Sequence, residues 1–305
     1  SKKKTLWVVI LVMLAASCYL FLDGQRQNQI LIENRTLYEQ TEAEVQTLSL
    51  EEAVSFLQEK VDEIQVRVTL LGASEGMENA EIFLEDIMTR YPKLYEQLAG
   101  KEETLSEEEL YGRSIVYNEL LRQAQSMQKY PEFIATVEQN AQTMLKASVF
   151  GKPGTFSYNT ILKTASDFSH MEDVPLEYGL SLGITAATDF FPNDLFLLLI
   201  VFLLCVYLYN WEWERGLYPL VKSGRNGRLA VIGAKLGVLF TGTVLCAALF
   251  YGAALLGSGL LYGFGDWNRY IQSMSDFRDC NILLTVGQYL FWAFGIKVAE
   301  HYDRN

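Results

Sequence analysis

At 305 residues the chain has room for one or two soluble domains, yet half of it is apolar and its charge is concentrated in one stretch. Residues 23–194 hold 30 Asp and Glu against 13 Lys and Arg, a net of −17, while the remainder nets +5. So negative a surface repels phosphate backbones and excludes nucleic acid as a partner. Four scattered cysteines (Cys18, Cys205, Cys246, Cys280) and two histidines exclude a disulfide framework or a zinc ribbon.

A bilayer core of about 30 Å needs roughly 20 helical residues, and four uncharged runs approach that length: 5–22, 195–209, 236–262 and 281–296. The first follows Lys2, Lys3 and Lys4. Its basic start and the Ala15-Ala16-Ser17 stretch before Cys18 also describe a cleaved or lipidated signal. Against that, Ala15 is small for a lipid-attachment box and the run continues through Tyr19-Leu20-Phe21-Leu22, which favours an uncleaved anchor. The second run can be extended by Phe190, Phe191 and Trp211. Its Leu-Leu-Leu-Ile-Val-Phe-Leu-Leu core has no polar face, unlike a soluble helix. The fourth run is short and stops at Lys297.

Basic residues beside the spans set the orientation. The lysines at 2–4 hold the N-terminus in the cytoplasm, which places 23–194 outside and returns the chain inside at 211–235, where Arg215, Lys222, Arg225, Arg228 and Lys235 gather. Residues 263–281 then form an outer loop, and 282–305 a partial fourth span and tail.

The outer region reads as helical. Residues 24–46 continue span one. Ser49-Leu-Glu-Glu opens a helix with a capping box, and Leu50, Val54, Leu57, Val61, Ile64, Val68 and Leu71 follow in a heptad seam through which copies could associate. Further helices are expected over 78–97, 107–128 (after Ser106-x-x-Glu109) and 131–147, and loops or short elements over 148–189, where Gly151, Pro153, Gly154 and Pro175 interrupt the periodicity. The fold expected is all-α: an integral membrane protein with a large helical extracellular domain between spans one and two.

Chemistry is sparse. No phosphate-binding loop, no Gly-x-Ser-x-Gly elbow and no paired histidines at metal spacing occur, so neither catalysis nor a cofactor or metal is expected. No acid within spans two or three marks a pathway. The informative segment is 211–228, Trp-Glu-Trp-Glu-Arg-Gly through Gly-Arg-Asn-Gly-Arg, in which acids, a glycine turn and then bases meet a membrane boundary. Such a stretch can lie along the interface and offer charge to a soluble partner.

The acid-x-acid-Arg-Gly…Gly-Arg…Ala-Lys order between spans two and three resembles the membrane subunits of ABC-2 type transporters of the Firmicute type. Ser148-Val149-Phe150, Phe156-Ser157, Lys163-Thr164, Tyr262-Gly263-Phe264-Gly265-Asp266, Ile271-Gln272-Ser273 and Val286-Gly287-Gln288-Tyr289-Leu290 fit the same pattern across residues 1–299. The resemblance implies a multi-pass permease subunit of the cell membrane that couples to a separate ATPase. Glu212, Glu214, Arg215 and Gly216 would sit at the coupling element, with Arg225, Arg228 and Lys235 against the inner headgroups. Such subunits carry six spans, whereas this chain stops inside its fourth; it is then a fragment, or a second permease chain or copy supplies the rest. From a different class, the alternative is an anchored helical ectodomain that senses an extracellular ligand without transport.

Overall fold

The computed structural model describes residues 2–76, 78, 80–101, 104–147, 149–214, 216, 227–263 and 265–303. About 80% of the chain is helical, and no strand occurs among the described residues. Two compact units form: Ser1–Gln27, Leu180–Trp267 and Val286–Asn305 make the first, Asn28–Gly179 and Asn268–Thr285 the second. These divisions differ from those drawn by charge. The acidic stretch ends structurally at Gly179 and not at 194, and most of the expected 263–281 loop is built into the same unit as the long helical region.

With helices numbered along the chain, the first unit holds α1 (Lys2–Gly24), α9 (Leu182–Thr188), α10 (Phe191–Glu214), α11 (Gly227–Tyr262) and α12 (Val286–Asp303). Three helical stretches, Lys4–Glu33, Leu182–Leu208 and Ala230–Tyr262, are long and apolar enough to cross a membrane. α1, α10 and α11 are apolar over most of their surface and have no single polar face, as befits a helix able to cross a bilayer. α11 is the hub, packing on α1, α9, α10 and α12. Around it Ile10, Leu197, Ile200, Val201, Ala247 and Phe250 are buried together with Val298 of α12. Close approach needs small residues: a Cβ on Gly183 would come 3.1 Å from Ser258 Oγ, and one on Gly257 3.1 Å from the Phe21 ring.

The second unit holds α2 (Gln29–Glu33), α3 (Arg35–Val45), α4 (Leu50–Ser74), α5 (Ala80–Arg90), α6 (Pro92–Leu98), α7 (Glu107–Lys146) and α8 (Phe156–Ser169). Both expected capping boxes are present. The Ser49 amide donates to Glu52 Oε2 at 3.0 Å while the Glu52 amide donates back to Ser49 Oγ, and Ser106 and Glu109 repeat the exchange at 2.9 and 3.2 Å. α4 lies along α7. The heptad seam is not a free surface: Leu57 and Ile64 are buried together with Ala53 and Val66 of the same helix, and Leu110, Val116, Leu120 and Ala124 of α7 are buried likewise.

Three expectations need correction. Residues 24–46 do not continue α1 as one helix, since a 3₁₀ turn at Gln25–Asn28 and the short α2 intervene. The helix expected over 78–97 divides at Tyr91, because Pro92 disfavours helical geometry in the residue before it and starts α6 afresh. Residues 107–128 and 131–147 are one 40-residue helix that passes through Pro131. A proline inside a helix costs about 3 kcal/mol. Here Tyr130 and Ile134, on either side of it, are both clamped in a cluster with Phe168 of α8 and Met171. The breakers Gly151, Pro153 and Gly154 make only the turn between α7 and the 14-residue α8, which is capped by Thr155 Oγ1 accepting from the Tyr158 amide.

Gln123 of α7 ties distant segments together. Its Nε2 donates to Tyr38 Oη at 3.1 Å and to Glu119 Oε1 at 2.8 Å, and its Oε1 accepts from the Gly179 amide at 3.0 Å. Segment 268–285 folds onto the same helices. Tyr270 bridges Thr285, Gln272 Nε2 donates to the Ile282 carbonyl at 2.8 Å, Arg278 stacks on Phe133, and Asn281 Nδ2 donates to Asp167 Oδ2 at 3.1 Å. Arg269, 5% exposed, enters this interior. Burial pushes the Glu42 carboxyl above the ordinary carboxylate range, with the Arg269 charge opposing it. Gly179 has φ +148°, and a Cβ there would overlap the Arg269 guanidinium. Gly179→Ala is therefore expected to destabilise this unit by upward of about 1 kcal/mol. Hydrogen exchange of the residue 179 amide, which donates to Gln123 Oε1, should accelerate; unchanged exchange would show that this close approach is not needed.

Candidate functional site

In a lipid surrounding, a polar side chain must find its partner within the protein, and the first unit gathers such partners around the start of α10. Phe190 and Asp189 separate α9 from α10, so the second apolar stretch is a broken helix. Asn193 and Asp194 fall in the first turn of α10. Asp194 lies twelve residues from Leu182 and fourteen from Leu208, near the middle of the stretch.

Asn193 is fully buried. Its Oδ1 accepts from the Ser17 hydroxyl of α1, and its Nδ2 donates to the Phe250 carbonyl of α11 at 3.1 Å, so one amide joins three helices. Asp194 accepts from the Tyr251 hydroxyl of α11 and from Lys297 Nζ of α12 at 2.6 Å. The Asp194 and Lys297 side chains are 22% and 26% exposed, which makes this a largely desolvated ion pair. Further polar contacts follow the same helices: Ser258 donates to the Gly183 carbonyl, Tyr262 to Gln25 Oε1 at 2.7 Å, and Tyr289 to Thr188 Oγ1 at 3.4 Å.

A cavity of about 500 Å³ opens beside the pair, between α9, α11 and α12. Leu255, Trp267 and Phe291 give it apolar walls, and Thr188, Tyr251 and Lys297 give it polar groups. That combination, a mostly apolar concavity with a few convergent polar groups, is the usual form of a small-molecule site. Among the described residues no group of three or more His, Cys, Asp or Glu is arranged to hold a metal.

This centre corrects two readings of the sequence. Asp194 was placed in the outer domain, at the edge of an acid-free span two, but the apolar Leu182–Thr188 precedes it and brings it inside. Lys297 was read as the flank that ends the fourth run. α12 instead starts at Val286 and continues past Lys297, whose charge is met by Asp194. The available signal was the pair itself, one acid and one base interrupting two apolar runs.

The residues expected at the coupling element are only partly placed. The side chains of Glu212 and Glu214, at the end of α10, and of Arg228, at the start of α11, lie outside the described residues, as do Arg215 and Arg225 altogether. Gly216 has φ +61°, a conformation that glycine adopts without strain. Comparison with the profiles of known protein families, with curated proteins and with solved structures gives no match.

Proposed function

We propose that the chain is a membrane subunit of an ABC-2 type, ATP-driven transporter, lying in the cell membrane with its N-terminus in the cytoplasm and the acidic helical region, residues 28–179, outside. The chain hydrolyses nothing itself. A separate ATPase docks on the cytoplasmic segment 211–228, where Glu212, Glu214, Arg215 and Gly216 meet the partner and Arg225 and Arg228 rest on the inner headgroups.

The observation that carries the transport reading is the Asp194–Lys297 pair beside a cavity in the middle of an apolar, broken helix. Ionisable groups so placed are costly and characteristically line substrate paths, and broken helices supply such sites. The topology draws support from the second unit: residues 28–179 and 268–281, both expected outside, belong to one compact body, which two segments on opposite faces of a bilayer cannot do. Closure of the ATPase would push on 211–228 and tilt α10 and α11. Since α10 carries Asn193 and Asp194 while their partners sit on α1, α11 and α12, a tilt changes the cavity. The partner acts by binding one arrangement better than the other.

Purification of the chain from its native membrane should recover a Walker-type ATPase, and Glu214→Lys should remove it by at least tenfold while the helical circular dichroism is unchanged. Recovery of the chain free of any ATPase under conditions that preserve membrane complexes would overturn the proposal.

A further inference from the structure

The long helical segment of the second unit, residues 28–179, is acidic overall, but not over one interval of it. Between Glu138 and Asp167 there is no Asp or Glu, and Lys146, Lys152 and Lys163 fall in that interval. These residues form the tip of a helical hairpin. α7 ends at Lys146, the turn carries Gly154 at φ +81°, and α8 returns from Phe156 to pack on α7. The packing that holds the hairpin is at its far end, where Tyr130, Ile134, Phe168 and Met171 are buried. At the tip four apolar side chains face outward while Leu145, Phe150 and Ile161 are half-buried: Val149 is 76% exposed and Phe156 86%, with Met144 and Leu162 also exposed. All three lysines are exposed among them.

Exposed Val and Phe are unfavourable in water and need a cover. A hairpin tip of this kind is a knob of four apolar side chains, far short of the roughly 800 Å² that each partner contributes to a stable protein interface. A bilayer surface requires no matching shape. Apolar and aromatic side chains enter the headgroup boundary while neighbouring lysines meet anionic lipid, each basic residue adding to the attraction. In a chain with apolar membrane-spanning stretches, lipid is also the most concentrated apolar phase at hand. We infer that the α7–α8 tip, through Val149 and Phe156 flanked by Lys146, Lys152 and Lys163, is a docking element for an anionic bilayer surface. This inference is independent of the transporter reading.

The test uses the full chain in nanodiscs, with Cys18, Cys205, Cys246 and Cys280 replaced by alanine and an environment-sensitive fluorophore on Val149→Cys. Discs are made of phosphatidylcholine alone or of a mixture with phosphatidylglycerol, with brominated acyl chains as quencher; vesicles of both compositions are also added from outside, so that a tip reaching its own or another bilayer is seen. Expected is a blue shift with bromolipid quenching when phosphatidylglycerol is present in either arrangement. The triple change of Lys146, Lys152 and Lys163 to Gln should weaken the interaction with anionic lipid on the order of 100-fold. A probe at its aqueous emission in every lipid overturns the inference, as does a shift equal in both lipid compositions. A shift that instead rises with protein concentration in detergent overturns it in favour of a second copy of the chain.

Discussion

Lys297→Ala is expected to destabilise the first unit by about 3–5 kcal/mol, because it leaves the Asp194 carboxyl among apolar helices with its counter-charge gone. The loss should appear as a large fall in the thermal unfolding midpoint in nanodiscs, and Asp194→Ala should produce a similar fall by stranding the lysine. Removing the charges together is different. Asp194→Leu with Lys297→Met and Tyr251→Phe deletes the acid, the ammonium and the hydroxyl that donated to the acid, so no buried polar atom of that trio is left behind. Replacement of a buried ion pair by apolar groups of similar volume is often neutral or stabilising, and the triple variant should unfold at or above the temperature of the unaltered chain. If the pair lies on a transport path, the same variant folds and does not transport. A single Lys297→Ala variant with an unchanged midpoint would show that Asp194 needs no partner and that the centre is not desolvated.

Leu57→Asp should unfold the second unit. Leu57 is fully buried on α4, the helix that lies along α7, so the substitution removes an apolar side chain and leaves an unpaired carboxylate in its place. Either change alone is costly, and together they exceed about 4 kcal/mol. Hydrogen exchange should show loss of protection along both α4 and the facing part of α7, while helix α1, in the other unit, keeps its own. The more moderate Leu57→Ala should cost about 3 kcal/mol and retain the fold. Were Leu57→Asp instead to leave the helices protected and only abolish self-association, the seam would face a second copy and not α7.

Much of the helical content was legible locally. Ser49 with Glu52 and Ser106 with Glu109 announce two helix starts because capping involves residues three apart, within reach before any tertiary contact forms. The apolar stretches were equally legible, since a helix that is apolar on every side needs no knowledge of its neighbours to be recognised. Pro131 was misleading for a long-range reason. Its local effect is to break a helix, and what keeps α7 whole is Phe168 and Met171, more than thirty residues away in sequence. The proposal that segment 211–228 couples to an ATPase rests on the sequence alone.

The candidate site belongs to a different category. Asp194 looks like the last acid of an acidic domain and Lys297 like the basic end of a span, and each local reading is reasonable by itself. Composition and periodicity, acting over a few turns, determined a helical protein with stretches long and apolar enough to cross a membrane and an acidic helical body. Only the tertiary structure decided that Asp194 and Lys297 meet, because whether a charge marks the edge of an apolar layer or lies paired inside it depends on what another helix brings to the same depth.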